Sequence, residues 1–272
     1  MKDYKALFDS VERTLLEVGS RSIPAEQIRA ELDSYKHFEG MCLTDEQYYR
    51  NLVHIIFYSG FRAETVSQRL EAIDRSFPDY ATVATYSEPD IQRIISDPTM
   101  IRNERKIRAC VANAKQFEKI VTDNGSFYDF LKAFPPPSTD AEILALRNRF
   151  QRLFAFLGGI TAFHFMTDIG IAVLKPDRVI QRIFKRLGLV DGSLTDDVLY
   201  LACIREGQKF AHATGYPIRY IDIVFVAYGQ VQSSEIGIMQ GICLEESPNC
   251  SICGTKGFCE YFDSKSKVAT AR

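Results

Sequence analysis

Four cysteines lie within seventeen positions near the end of the chain, and their spacing restricts how that segment can fold. They are Cys243, Cys250, Cys253 and Cys259, separated by six, two and five residues. Structural zinc sites usually combine two tight pairs of cysteines, whereas only the middle pair is tight here. Four thiolates on wide arcs suit a larger object, such as a four-iron, four-sulfur cluster. Spacing alone leaves three possibilities open: a cluster, a zinc ion, or cysteines without a ligand.

Charge and hydropathy indicate the cellular compartment in which this protein functions. It has 272 residues, of which 46% are hydrophobic, and its net charge is −2. No apolar run approaches the roughly 18 residues that span a membrane, and the first residues are too charged for a signal peptide. We therefore expect a cytoplasmic protein without a membrane partner, in a compartment where clustered cysteines bind metal more often than they form disulfides. With so small a net charge, nucleic-acid binding would depend on local basic patches.

Apolar residues recur every three or four positions through most of the chain, which is the periodicity of amphipathic helices. Thr44 and Ser87 precede two of these segments and are suitable N-cap residues. Three consecutive prolines within 133–140 instead mark a surface loop. Helical segments are predicted at 45–61, 63–77, 88–97 and 103–123, and 175–188 is predicted to be a turn followed by a basic amphipathic helix. The pattern predicts an all-α protein of roughly ten short helices.

The segment 172–190 is strongly basic and contains a single acid, Asp177. Its five basic residues are Lys175, Arg178, Arg182, Lys185 and Arg186. A basic helix of this kind predicts a surface that faces phosphates. Asp is favoured at helix N-caps, so capping alone would explain Asp177. A carboxylate at the mouth of a basic helix also suits catalysis, and the two roles are compatible.

The cysteine spacing, followed by "CEYF", resembles the iron–sulfur loop of one branch of the helix-hairpin-helix DNA glycosylases, that of endonuclease III and adenine glycosylase. The resemblance implies an all-α, two-domain helix-hairpin-helix fold with a C-terminal [4Fe-4S] cluster on the four cysteines. In that branch the cluster is structural and positions DNA-binding loops. The resemblance therefore implies that the loop holds the fold and does not perform the chemistry.

The middle of the chain resembles a second branch, 3-methyladenine DNA glycosylase I. The likeness is carried by "IRNERKIRACVANAKQF" (101–117), "NGSFYDFLKAF" (124–134) and "FLGGITAFHFMTDIG" (156–170). It implies excision of an alkylated purine such as 3-methyladenine. Two departures leave another damaged or hypermodified base open. The cysteine loop replaces the zinc ligands of that branch, and "NLVHIIFYSGF" lacks its pocket glutamate.

The resemblance also assigns catalytic and DNA-binding residues. In these enzymes a catalytic Asp lies eleven residues before a helix-ending Gly, which is where Asp177 stands relative to Gly188. Its carboxylate would stabilise an oxocarbenium ion and activate water. The hairpin "FLGGITAFHFM" (156–166) would bring backbone amides close to a DNA phosphate. The residues expected to hold the DNA backbone are Gly158, Gly159, Thr161 and Arg178.

Members of the family with lyase activity carry a lysine in the hairpin, and the corresponding position here is Ile160. A monofunctional glycosylase that uses water and leaves an abasic site is therefore expected. Two alternatives stay open. One is a lyase that uses a lysine outside the hairpin, and the other is a non-catalytic iron–sulfur protein that binds DNA or senses redox state.

Aromatic residues after position 53 are candidates for the base pocket. An enzyme that excises a base usually flips it out and stacks it between aromatic or apolar side chains. His54, Phe57, Tyr58 and Phe61 lie within eight residues and are predicted to form the pocket or the wedge. "YSGFRAE" resembles the family segment that fills the space of the flipped nucleotide, which nominates Phe61. Aromatic residues at helical spacing are more often core, so ordinary packing is the alternative for each.

By the family's plan the chain divides into three ranges. Residues 1–52 are N-terminal helices that pack with the C-terminal domain. Residues 53–170 form a six-helix barrel domain with the hairpin, and residues 171–272 carry the catalytic-Asp helix and the cluster. The implied partner is double-stranded DNA that contains a modified base, bound by a monomeric, nucleoid-associated enzyme.

Overall fold

The computed structural model describes residues 2–37 and 39–270, and in that part of the chain it contains helices and loops. Extended pairing there is limited to an isolated bridge between Ser233 and Ile238. The prediction of an all-α protein is confirmed. None of the described helices is long and apolar enough to cross a membrane.

Fifteen α-helices, numbered along the chain, occur in the described residues, which is more than the roughly ten predicted from periodicity. The segment 63–77, for example, is divided into two short helices. The helices are α1 (Tyr4–Gly19), α2 (Ala25–Asp33), α3 (Asp45–Tyr58), α4 (Ala63–Ser67), α5 (Leu70–Ser76), α6 (Tyr80–Ala84), α7 (Glu88–Ser96), α8 (Glu104–Asn124), α9 (Phe127–Lys132), α10 (Asp140–Leu153), α11 (Gly159–Asp168), α12 (Arg178–Arg186), α13 (Asp196–Thr214), α14 (Ile218–Gly229) and α15 (Glu260–Thr270). Short 3₁₀ helices cover Ser34–His37, Ser234–Ile236 and Lys256–Phe258.

Local capping signals set several helix starts. Thr44 and Gln47 form a reciprocal capping box at α3, with the Thr44 N–H donating to Gln47 Oε1 at 2.8 Å. Ser87 precedes α7, and its backbone N–H donates to the Asp90 carboxylate at 3.0 Å. Both predicted starts are confirmed, because each depends only on residues within one turn of the helix end. The proline segment is a loop that ends where Thr139 caps α10.

The first of two compact units is built from two separate segments, Met1–Glu39 and Ala172–Arg272. Within it α1 packs against α13 and α14, and α12 packs against α14. An aromatic cluster fills its core. The Phe210 ring lies 5.0 Å from both Tyr4 and Phe225, measured between ring centroids.

The second unit is continuous and covers Gly40–Ile171. Its longest helix is α8, which packs against α3, α6, α7 and α9. Phe117 on α8 stacks on Phe127 with ring centroids 4.6 Å apart. Burial of such rings contributes about 1.5–3 kcal/mol each to the free energy of unfolding.

Helix α3 lies in the second unit, so the boundary falls at residues 39 and 40, whereas the sequence predicted 52 and 53. The reason is the apolar face of α3. Tyr49 is fully buried there, and its ring lies 5.8 Å from that of Phe117. The predicted range 1–52 therefore includes a helix that belongs to the core of the second unit.

Candidate active site and cysteine loop

The four cysteines of the C-terminal loop line one cavity in the first unit. Apolar side chains enclose it, among them Ile183, Leu187 and Ile242. Cys259 is buried, and the other three cysteines are half-buried. The loop therefore brings all four cysteines around the same space.

Polar groups surround the thiols. The Arg186 guanidinium lies 3.3 Å from Cys243 Sγ, and the Cys259 thiol donates to the Arg186 carbonyl at 3.5 Å. The Tyr228 hydroxyl is 3.1 Å from Cys253 Sγ. Burial raises the pKa of the Cys243 thiol, and the same cause raises that of Cys259. A metal would reverse this effect, because a coordinated thiol is deprotonated outright.

The donor chemistry of this cavity fits an iron–sulfur cluster. It offers four thiols, an apolar enclosure and the cationic Arg186, which would offset the negative charge of a thiolate-bound cluster. Within residues 2–37 and 39–270, no three Cys, His, Asp or Glu side chains are gathered closely enough to hold a metal ion. The cluster therefore stays a prediction.

The basic side chains of α12 contact the cysteine loop and its neighbours, which corrects the expectation of a phosphate-facing helix. Arg182 donates to the carbonyls of Gly229 at 2.5 Å and Cys243 at 3.2 Å. Arg186 donates to the Leu244 carbonyl at 2.6 Å. Loop carbonyls have no helical partner, so guanidinium groups satisfy them. Arg178, at the start of the helix, is exposed, and its role in holding the DNA backbone stays a prediction.

Asp177 is the N-cap of α12. Its Oδ1 accepts hydrogen bonds from the backbone N–H groups of Val179 at 2.9 Å and Ile180 at 3.1 Å. Its Oδ2 lies 3.2 Å from Lys175 Nζ, and 24% of the Asp177 side chain is exposed. Asp177 therefore caps the helix, which is one of the two roles that its sequence position allowed. Capping occupies Oδ1, whereas Oδ2 takes no part in capping and faces the Lys175 ammonium.

A buried ion pair holds the backbone just before Asp177. Asp222 is fully buried, and its Oδ2 pairs with Arg219 at 2.8 Å. Its Oδ1 accepts from the Lys175 N–H at 3.2 Å. Sequence reasoning missed Asp222. The available signal was an arginine and an aspartate three residues apart in the otherwise apolar helix α14.

The hairpin joins α10 to α11 in the second unit. Gly158 is the N-cap of α11, and its carbonyl accepts from the Thr161 N–H at 2.7 Å. A Cβ added at Gly158 would meet nothing within 4 Å. Gly159 has a φ of +29°, and Phe156 just before the turn has a φ of +65°. The backbone at Gly158 is therefore open, and the close approach of a DNA phosphate to this turn stays a prediction.

Two of the four predicted pocket residues contact the short helices after α3. His54 Nε2 lies 2.5 Å from Asp74 Oδ1 on α5. The Tyr58 hydroxyl lies 3.1 Å from the Ser67 hydroxyl at the end of α4. Both side chains are half-buried. Asp74 was not anticipated, because it follows His54 by twenty residues in a different helix.

Phe57 and Phe61 have different environments. Phe57 is fully buried, with its ring 6.0 Å from that of Phe77, which excludes it as a wedge. The prediction for Phe57 is therefore wrong, and the packing alternative describes this residue. Phe61 is 38% exposed, with Lys106 Nζ 5.0 Å from its ring centroid.

Lys106 is a buried cation that sequence reasoning missed. Its Nζ donates to the carbonyls of Ile56, Phe57 and Ser59 at the end of α3. Only 4% of the residue is exposed, and burial lowers its pKa to about 8. The ammonium thus fixes the end of α3 next to Phe61.

Comparison with known proteins identifies a family. The sequence model of the methyladenine glycosylase family matches residues 30–178, which include the hairpin and Asp177. DNA-3-methyladenine glycosylase 1 of Escherichia coli is 27% identical over 158 residues, covering 52% of this chain and 79% of that protein. The cysteine loop lies outside the matched residues.

Two solved structures share the fold over most of both chains. The first is the 8-oxoguanine glycosylase/lyase of Methanocaldococcus jannaschii in complex with DNA. It has a TM-score of 0.53 and 16% identity, and the match covers 82% of this chain and 96% of that one. The second is endonuclease III in a trapped covalent intermediate with DNA. It has a TM-score of 0.52 and 15% identity, and the match covers 89% and 98% of the two chains. With this fold and the family match over residues 30–178, the chain belongs to the methyladenine glycosylase family.

Proposed function

We propose that this protein is a DNA glycosylase that flips out a modified base and excises it by hydrolysis, leaving an abasic site. The observation that carries the proposal is Asp177, whose Oδ1 is fixed by two helix amides and whose side chain remains 24% exposed. Membership of the methyladenine glycosylase family supports the reaction class.

The environment of Asp177 suits the chemistry of base excision. Cleaving the N-glycosidic bond builds positive charge on the sugar, which a fixed carboxylate stabilises without reorganising in the transition state. The amides of Val179 and Ile180 hold Oδ1 in place, so the carboxylate keeps its orientation. The same carboxylate can orient or deprotonate the attacking water.

The proposed substrate is DNA with an alkylated purine such as 3-methyladenine, in line with the name of the Escherichia coli relative. A second candidate is another damaged or hypermodified base. The observation that favours it is the pairing of His54 with Asp74, which supplies a carboxylate from α5 next to a stretch of α3 that carries none. A histidine–aspartate pair in place of the glutamate would offer other hydrogen-bonding groups, and these would suit a base other than 3-methyladenine.

The open turn of the hairpin is the proposed DNA-backbone site. The backbone at Gly158 and Gly159 can approach a phosphate, and the N-terminus of α11 favours an anion there. Thr161 lies in the first turn of the same helix, and its hydroxyl lies 3.5 Å from that of Ser59. Arg178 would add a further phosphate contact.

The four loop cysteines are proposed to hold a [4Fe-4S] cluster with a structural role. A cluster would link residues 243–259 into one rigid loop beside α12, where Arg182 and Arg186 already contact its carbonyls. A bound cluster would cross-link the loop and would take no part in the hydrolysis.

Base release tests the proposed function. The protein is incubated with duplex DNA carrying alkylated, oxidised, deaminated or hypermodified bases, and the bases released are identified by mass spectrometry. Asp177→Asn should reduce release by at least about 100-fold, because it removes the charge and keeps a good N-cap. Asp3→Asn is the matched control, since Asp3 caps α1 with a 2.9 Å bond to the Ala6 N–H.

Release that Asp177→Asn abolishes and Asp3→Asn leaves unchanged would establish the reaction and its carboxylate. Equal release by wild type and Asp177→Asn would contradict the assigned role. No release from any substrate would favour the non-catalytic DNA-binding alternative.

A further inference from the structure

We infer that Lys175 forms an imine with the abasic sugar, so that the protein covalently captures the product of its own reaction. The inference rests on the proposed function, because hydrolysis of the N-glycosidic bond leaves a sugar whose ring-opened form is an aldehyde at C1′. Lysine amines are the protein groups that form Schiff bases with carbonyl compounds. An amine beside the catalytic carboxylate would be close to C1′ when that aldehyde forms.

The contacts of Asp177 place the amine on the reactive side of the carboxylate. Oδ1 is occupied by the two capping amides of α12. Oδ2 is the oxygen that lies 3.2 Å from Lys175 Nζ. A sugar whose positive charge is stabilised at Oδ2 would therefore lie within one contact distance of the amine.

The backbone of Lys175 is anchored on both sides, which limits where the amine can go. Its N–H donates to the buried Asp222 at 3.2 Å, and its carbonyl accepts from the Asp177 N–H at 2.8 Å. Only 17% of its side chain is exposed. Holding an amine near its target in this way replaces a bimolecular encounter with a unimolecular step.

The covalent step needs no reagent beyond the amine and the sugar. The Lys175 ammonium first transfers a proton to Asp177 Oδ2, its neighbour in the ion pair. The nitrogen lone pair then forms a bond to C1′, and the former carbonyl oxygen leaves as water, taking up the two protons that the nitrogen loses. The product is an imine between Nζ and C1′. Addition of water reverses the sequence and restores the lysine and the aldehyde.

Lys106 provides a comparison within the same chain. Burial lowers its pKa to about 8, a value that would favour a nucleophilic amine. Its Nζ, however, is enclosed by three backbone carbonyls and the residue is 4% exposed. Lys175 instead is paired with the catalytic carboxylate and retains a path to solvent.

Borohydride trapping tests the inference with the full-length protein and duplex DNA that carries one abasic site. Borohydride reduces the imine to a stable amine, which appears as a protein–DNA adduct on a denaturing gel. Lys175→Arg keeps the positive charge beside Asp177 and cannot form an imine, so the adduct should fall at least about tenfold. Lys5→Arg is the matched control, because Lys5 pairs with Asp9 at 2.7 Å on the exposed face of α1.

Peptide mapping of the wild-type adduct should place the reduced linkage on Lys175. The inference is overturned if wild type gives no adduct, if Lys175→Arg gives as much as wild type, or if the linkage lies on another amine. Base release is measured on the same preparations to separate the two proposals. Release without an adduct would overturn the imine alone, whereas absence of release from every substrate would count against the proposed function.

Discussion

Lys106 shows how a single buried charge makes stability depend on pH. Its pKa falls from 10.5 to about 8 on folding, so between these values the unfolded chain holds a proton that the folded protein has lost. Stability rises with pH wherever the unfolded state binds more protons. The cost of burying this ammonium is therefore present below pH 8 and is relieved as the pH approaches 10.5.

Replacing Lys106 with methionine should remove this dependence. The difference in unfolding free energy between wild type and Lys106→Met should move in favour of wild type by up to about 3 kcal/mol between pH 8 and pH 10.5. Denaturant unfolding at several pH values measures it. Lys115→Met, which removes an exposed lysine from the same helix, serves as the control. A flat profile for Lys106→Met would contradict the prediction.

Phe57 and Phe61 allow core and wedge roles to be separated at neighbouring positions. Phe57→Ala should lower the free energy of unfolding by about 3–5 kcal/mol, because it empties a fully buried position. Phe61→Ala should change stability by less than about 1 kcal/mol and reduce base release by at least tenfold, if Phe61 supports the flipped state. Thermal unfolding and the base-release assay measure the two effects. Full activity of Phe61→Ala would rule out a wedge role.

At the scale of elements, the cysteine loop packs closely on α1 at Gly254. A Cβ there would lie 2.3 Å from Thr14 Oγ1 and 3.0 Å from the Ser10 carbonyl. Gly254→Ala should therefore lower the free energy of unfolding by about 1–3 kcal/mol, since the loop must move away from the helix. In Gly257→Ala the new methyl group meets nothing within 4 Å, so this control from the same loop should differ from wild type by less than about 0.5 kcal/mol. Equal losses of stability in Gly254→Ala and Gly257→Ala would show that the close contact between Gly254 and α1 does not hold the loop.

The elements also show which parts of the structure the sequence could predict. The starts of α3 and α7 were predictable because Thr44 and Ser87 act within one helical turn. The hydrogen bond from Arg182 to the Gly229 carbonyl was not predictable, because Gly229 lies 47 residues further along the chain. The anchoring of Lys175 by Asp222 spans the same separation. Periodicity identifies a buried face but does not say which distant group a polar side chain will meet.

At the scale of the whole molecule, the predicted cluster should determine both colour and stability. Protein purified without oxygen should be yellow-brown and contain about four irons per chain. Cys253→Ser should remove most of the iron and lower the melting temperature, because it removes one ligand from the loop. Cys42→Ser is the control, since Cys42 is exposed and outside the loop. Colourless protein with one zinc per chain would contradict the cluster and indicate a zinc site instead.

The fold was predictable because several motifs spread along the chain pointed to the same family. The environment of a single aromatic residue was not predictable in this way. The hairpin glycines, Asp177 and the helical pattern together identified a fold that the comparisons confirm. Phe57 was misassigned because its spacing is the same whether a residue faces the core or a pocket. The boundary at residue 39 was missed because α3 carries no composition change at its start.

The first unit, made from two distant segments, has a consequence for how the chain is synthesised. Residues 1–39 leave the ribosome long before their partners in 172–272 exist, while residues 40–171 are continuous and can fold as soon as they emerge. At about 5–20 residues per second, the first helices wait on the order of ten seconds for α13 and α14. During that time the buried face of α1, with Phe8 and Leu15, is exposed to water and to chaperones. Because the cysteines are made later still, any metal would be inserted into a protein whose second unit had already formed.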